Sequence, residues 1–173
     1  MATFGARPSR SVTFAASALV DGLFHVWGGL NEDSYRKKIS VERLLSTVCR
    51  FEPNTETWSY LNPVGSPPPG FIFCTSTSAG HSLYTFGGLD SDKSCTGSLH
   101  QLDTTSLMWT ELAKDGPAMK KSYCGMVEHE NTLVLFGGIP SGPIQQGSEF
   151  IQNNTDGNEL HSFNLKEGES CML

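Results

Sequence analysis

The chain has 173 residues, a formal net charge of −6 and a pI of about 5.3. That length is enough to bury a sizeable core, and the acidic balance excludes a surface built for nucleic acid. Gly at 18 and Pro at 9 mark a turn-rich all-β chain, and no apolar run approaches a membrane span.

The first element in chain order covers residues 12–20, whose mostly short side chains suit an extended strand. Arg7 and Arg10 ahead of it imitate a secretory leader, but the repeat register claims this stretch as a strand. Asp21-Gly22 then offers a tight hairpin turn, since glycine tolerates positive φ. The second strand runs through Phe24-His25-Val26-Trp27 into Gly28-Gly29. A third covers Val48 to Phe51, Pro53-Asn54 turns the chain, and Trp58 begins a fourth.

The same series returns twice. Thr75-Ser76-Thr77-Ser78 repeats the small residues of Ala15-Ala16-Ser17-Ala18, and the hairpin turn falls again at Ala79-Gly80-His81 and at Glu130-Asn131. Apolar strands end in Gly87-Gly88 and in Gly137-Gly138. Third strands cover Ser98 to Leu102 and Glu159 to Phe163, Asp103-Thr104-Thr105 is the next turn, and Trp109 takes the place of Trp58. Pro8, Pro67 and Pro117 each stand 20 residues before Gly28, Gly87 and Gly137. Gly28 to Trp58 is 30 residues and Gly87 to Trp109 only 22, so the length variation sits just after the glycines. Insertions confined to one point per repeat map to loops on one face.

The repeats span about 7–62, 66–113 and 116–173 within one domain. Four antiparallel strands per repeat make one blade of a propeller. The small-residue first strands are read as crowded near a central axis rather than as polar edge strands, because they recur in register. The third repeat departs from the pattern: Ser170 stands where a tryptophan is expected, so the last blade's fourth strand is expected to be absent or truncated. Three blades do not close a ring of the usual four to eight. A fragment of a longer chain, completion by another chain and a stable short array all remain open.

These residues resemble kelch repeats. The likeness rests on the double glycines, on the pairs Phe51-Glu52, Leu102-Asp103 and Phe163-Asn164, and on Trp58 and Trp109 seven residues after the first member. It covers about Pro8 to Leu165 and implies an all-β, incomplete kelch-type β-propeller of three four-stranded antiparallel blades, the last truncated. The insertion at 139–158 looks like that of kelch-domain substrate adaptors of ubiquitin ligases. It reads equally as a specificity loop or as an excursion without a role.

The five cysteines, Cys49, Cys74, Cys95, Cys124 and Cys171, are odd in number and have no CxxC spacing. Cys74 and Cys124 fall at equivalent places, where a thiol serves as a small apolar filler. A reduced, cytoplasmic setting is expected, with the nucleus also open. The sequon Asn153-Asn154-Thr155 matters only in a secreted chain.

The histidines His25, His81, His100, His129 and His161 form no metal-ligand spacing, and no catalytic nucleophile, phosphate loop, metal site or cofactor is expected. Cys124 and Tyr123 are neighbours in a strand and so point to opposite faces. Gly28, Gly29, Gly87, Gly88, Gly137 and Gly138 are read as sharp turns with close backbone approach, and Trp58 and Trp109 as packing between blades. Function then falls to loops. The resemblance implies that the loops into each blade and those after the double glycines share a face. Arg10, Arg36, Lys37, Lys38, Lys120 and Lys121 are the candidate cations there, suited to an acidic peptide or a C-terminal carboxylate. The expected function is a non-catalytic protein-binding module, as a ubiquitin-ligase substrate adaptor or a scaffold. The alternative is a kelch-type enzyme such as a copper oxidase.

Overall fold

The computed structural model describes residues 2–4, 12–31, 47–69, 72–90, 92, 94–114, 120–140 and 159–172. Every regular element among them is a strand. The first repeat supplies β1 (Ala2–Phe4), β2 (Val12–Thr13), β3 (Ala16–Val20), β4 (Leu23–Trp27), β5 (Leu30–Asn31), β6 (Val48–Glu52) and β7 (Thr57–Leu61). Strands β3, β4, β6 and β7 form an antiparallel meander, and β1 adds to the outer edge along β7. The second repeat supplies β8 (Val64–Gly65), β9 (Thr75–Ala79), β10 (Ser82–Phe86), β11 (Leu99–Asp103) and β12 (Met108–Ala113). Strands β9 to β12 repeat the meander, and β8, from the linker between blades, runs parallel to β12. The third repeat supplies β13 (Lys121–Ser122), β14 (Gly125–His129), β15 (Thr132–Phe136), β16 (Ile139–Pro140), β17 (Leu160–Asn164) and β18 (Glu169–Met172).

The turns follow from their residues. Asp21 (φ 52°) with Gly22 (φ 77°), and Glu130 (φ 50°) with Asn131 (φ 64°), give two left-handed residues per hairpin, matching the strand twist. Between third and fourth strands, Asp103 Oδ1 accepts the N–H groups of Thr105 and Ser106 at 2.8 Å each, and Asn164 Oδ1 does the same for Lys166 and Glu167.

The first strands β3, β9 and β14 lie side by side along the array. Ser17 N–H donates to Ser76 Oγ at 2.9 Å, and that hydroxyl donates to Ser17 O at 3.0 Å. Small side chains allow this approach, which bears out the axial reading. One strand was expected over 12–20; instead it breaks between β2 and β3, where Phe14 takes φ 61°. The fourth strand of the last blade, expected to be absent or truncated, is present. β18 has four residues and pairs with β17, with Ser170 opposite Phe163, because ladder hydrogen bonds need no tryptophan side chain.

The core is the seam between blades. Trp27, Val48 and Leu61 of the first blade pack with Leu83, Leu102 and Trp109 of the second, and the rings of Trp27 and Trp109 lie 5.2 Å apart. Tyr84, Phe86 and Leu99 of the second blade pack with Leu133, Leu135 and Phe163 of the third. Trp109 therefore packs between blades as expected, whereas Trp58 rests half-buried on Phe51 of its own blade at 5.0 Å.

The double glycines are needed for close approach. A Cβ on Gly88 (φ 92°) would meet Ile72 O at 2.8 Å, and one on Gly138 (φ 95°) would run into Cys124 Sγ.

Candidate functional site

All three double glycines lie at one end of the blades. There β2 pairs with β5, Ile72 bridges to Leu89, and β13 pairs with β16. In each repeat, residues following the glycines thus meet residues leading into the first strand. Among the described residues, those entering each blade and those just after the glycines do share a face.

The chain must then turn from this short ribbon into the axial strand, and one residue per repeat makes the turn. Those residues are Phe14 (φ 61°), Phe73 (φ 56°) and Tyr123 (φ 59°). A left-handed backbone costs a side-chain-bearing residue about 1–2 kcal/mol, so each aromatic is held there by its surroundings. Phe73 N–H donates to Phe14 O at 3.3 Å, and Tyr123 N–H donates to Phe73 O at 3.0 Å. The rings follow the backbones. Phe14 and Phe73 have centroids 4.3 Å apart, and Phe73 and Tyr123 are stacked at 4.3 Å with 26° between planes. Phe14 is 55% exposed and Tyr123 52%. The result is a continuous aromatic ledge across three blades, open to solvent. Exposed, mutually braced aromatic rings are the side chains that most often anchor a bound protein segment.

Below the ledge, Ala15, Cys74 and Cys124 occupy the next position. Burial pushes the Cys74 thiol up to about 12 and the Cys124 thiol up to about 11, so both stay protonated and act as small apolar filler.

The candidate cations separate. Arg10, Arg36, Lys37 and Lys38 lie outside the described residues, as does the part of the insertion over 141–158. Lys120 is exposed on this face, three residues before Tyr123. Lys121 does not present its charge to solvent. Its side chain is fully buried, and Nζ donates to Glu159 Oε2 at 2.9 Å. The same oxygen lies 3.0 Å from His161 Nε2. Hydrogen bonds from Lys121 and His161 hold the Glu159 carboxyl below its usual range. Lys121 is thus a strut between the second-to-third linker and the third blade, and its backbone O accepts Gly88 N–H at 3.0 Å.

The opposite end is different. It carries the hairpin turns, where His81 Nδ1 lies 2.7 Å from Asp21 Oδ2, and this exposed contact raises the His81 pKa. Burial lowers the pKa of His25 and of His100, so both sit neutral inside the blades. Among the described residues, no group of three or more His, Cys, Asp or Glu side chains is placed to hold a metal ion.

The ledge was not among the residues singled out from sequence, yet a signal existed. Phe14, Phe73 and Tyr123 each stand 14 residues before the first glycine of their repeat.

The profile of the KLHDC2/KLHL20/DRC7 Kelch-repeats domain matches residues 5–171. Kelch domain-containing protein 3 of Bos taurus is 25% identical over 142 residues, 80% of this chain and 35% of that protein. Acyl-CoA-binding domain-containing protein 4 of Arabidopsis thaliana is 36% identical over 90 residues, 51% of this chain and 14% of that protein. Rab9 effector protein with kelch motifs of Mus musculus is 32% identical over 118 residues, 66% of this chain and 29% of that protein. A Thlaspi arvense protein named as an N-(sulfonatooxy)prop-2-enimidothioate sulfolyase is 26% identical over 127 residues, 71% of this chain and 34% of that protein. The chain thus spans between 14% and 35% of the length of these relatives.

Proposed function

The chain belongs to the kelch-repeat family, and from that premise we propose that it captures a protein segment on its glycine-end face, with the aromatic ledge as the anchor. The observation that carries this reading is the threefold use of a bulky aromatic in a left-handed conformation. A turn alone is better served by glycine or asparagine. Retaining the ring at a conformational cost, and leaving it in water, favours a role in contact.

The segment proposed carries an apolar or aromatic side chain to lie on Phe14, Phe73 and Tyr123. Lys120 supplies attraction for an adjacent carboxylate, and Arg10, Arg36, Lys37 and Lys38, in the sequence before β2 and after β5, are proposed to add to it. Lys121 has no part in that attraction. Substrate adaptor and scaffold are both uses of such a face. A relative named as a Rab9 effector is in keeping with protein partners.

Peptide display on the immobilised chain tests the reading. Enrichment of segments pairing an aromatic or long aliphatic residue with an acidic one is expected, with affinity falling as salt rises. Failure to enrich any such segment, or enrichment indifferent to Tyr123→Gly, counts against it.

A further inference from the structure

Two seams join the three blades, and they treat their polar groups differently. The first seam sets Trp27 of blade one against Leu83, Leu102 and Trp109 of blade two. Side chains alternate along a strand, so His25 shares the face of Trp27, and Thr85 and His100 share the face of Leu83 and Leu102. Thr85 and His100 stand directly opposite each other in the ladder, and Ser98, two residues before His100, leads in on the same side. His25 Nε2, Thr85 Oγ1, Ser98 Oγ, His100 Nε2 and Trp109 Nε1 are all buried, and none meets a hydrogen-bond partner among the described residues. None of these five residues is more than 5% exposed.

The second seam closes the same place with charge. Gly87 N–H donates to Ser98 O at 3.2 Å, and Gly137 N–H donates to Glu159 O at 3.5 Å. Glu159 is therefore the counterpart of Ser98, and His161 that of His100. There Lys121 Nζ and His161 Nε2 both meet Glu159 Oε2, and the apolar Leu135 stands at the position of Thr85. The counterpart of Lys121 in the second repeat is Phe71, which has no charge to give.

We propose that the first seam is built to hold a small cluster of ordered water that bridges blades one and two. Its donors and acceptors match water. His25 Nδ1 lies 3.0 Å from Leu23 O, and His100 Nδ1 lies 3.1 Å from Ser66 O. A carbonyl only accepts, so each Nδ1 carries the proton. Burial keeps both rings neutral, and each Nε2 is left with a lone pair in the seam. Trp109 Nε1–H only donates, and the hydroxyls of Thr85 and Ser98 do either. Water has two protons for the imidazoles and two lone pairs for the N–H and O–H groups. A divalent metal ion would meet no carboxylate or thiolate in this set, so its charge would be buried without compensation. Leaving five such groups dry would cost more than holding water in place. This inference stands apart from peptide capture.

Thr85→Val tests it, because the two side chains share a shape and differ by the hydroxyl. With water in the seam, the variant strips a bridging water of a partner, and the folded-to-unfolded ratio read by urea unfolding is expected to fall about fivefold. In a dry seam the variant removes a buried hydroxyl that bonds to nothing, and an unchanged or rising ratio overturns the proposal. A crystal structure of the parent chain at high resolution is the second measurement. Water oxygens about 3 Å from His25 Nε2 and from His100 Nε2 are expected. Density free of water there, a direct bond between Trp109 Nε1 and His25 Nε2, or an anomalous peak marking a metal ion overturns it.

Discussion

Trp58 and Trp109 occupy one repeat position in two settings, and replacing each by alanine separates repeat identity from burial. Trp109 is 3% exposed and faces Trp27 across the first seam. Its truncation leaves a cavity between two blades and costs about 3–5 kcal/mol, a large share of the roughly 5–15 kcal/mol that holds a small domain. Trp58 rests on Phe51 and is only partly buried. Partial burial outside a seam between blades puts Trp58→Ala at roughly 1–2 kcal/mol. Urea unfolding followed by far-ultraviolet circular dichroism reads both costs. The slope with denaturant is expected to stay fixed while the midpoint moves. Equal costs for the two tryptophans, or a larger cost at Trp58, would refute the seam assignment.

Other outcomes follow from the same geometry. Gly88→Ala, whose Cβ meets Ile72 O, is expected to cost at least about 2 kcal/mol, whereas Gly22→Ala, with nothing within 4 Å, costs only its backbone strain of about 1 kcal/mol; thermal melts compare them. Lys121→Met keeps the buried stem and removes the charge, so it is expected to be tolerated better than Glu159→Gln, which leaves a buried ammonium without its carboxylate; the order of unfolding midpoints checks this. Acidification should weaken the fold. His25 and His100 have folded pKa values lowered from 6.5 by burial, so below pH 6.5 the unfolded chain binds protons that the folded chain refuses. Stability then falls with falling pH by up to about 1.4 kcal/mol per unit for each histidine. His81, raised by Asp21, acts in the opposite direction but is exposed and contributes little. Melts between pH 8 and 5.5 in the parent and in His100→Asn measure the slope, which the variant should reduce.

Much of the blade was legible in the sequence because periodic backbone demands leave residue marks. Double glycines appear where a Cβ would strike Ile72 O or Cys124 Sγ, and tryptophan appears at Trp109 where a seam must be filled. The third strands fall within one residue of their expected bounds, since alternation and turn residues bracket them. The ledge was hidden for the opposite reason. Phe and Tyr are poor choices for a left-handed turn, so local preference pointed away from Phe14, Phe73 and Tyr123, and only their register gave them away. Lys121 was misread because its partner Glu159 lies 38 residues on, and loop composition does not show which lysine will meet a carboxylate inside. The final strand kept its pairing without a tryptophan because Ser162 and Cys171, like Phe163 and Ser170, are paired through backbone.

The aromatic ledge as the capturing surface is tested most directly by replacing its two exposed rings with the residue best suited to their backbone. Phe14→Gly with Tyr123→Gly removes the rings while glycine accepts φ near +60°, so the fold is expected to hold. The affinity of a display-selected peptide, measured by fluorescence anisotropy, should fall at least about tenfold, or 1.4 kcal/mol, in this variant. It should be unchanged in Asp21→Ala with His81→Ala at the opposite end. Undiminished affinity in the glycine variant, with loss in the Asp21 and His81 variant, would contradict the account.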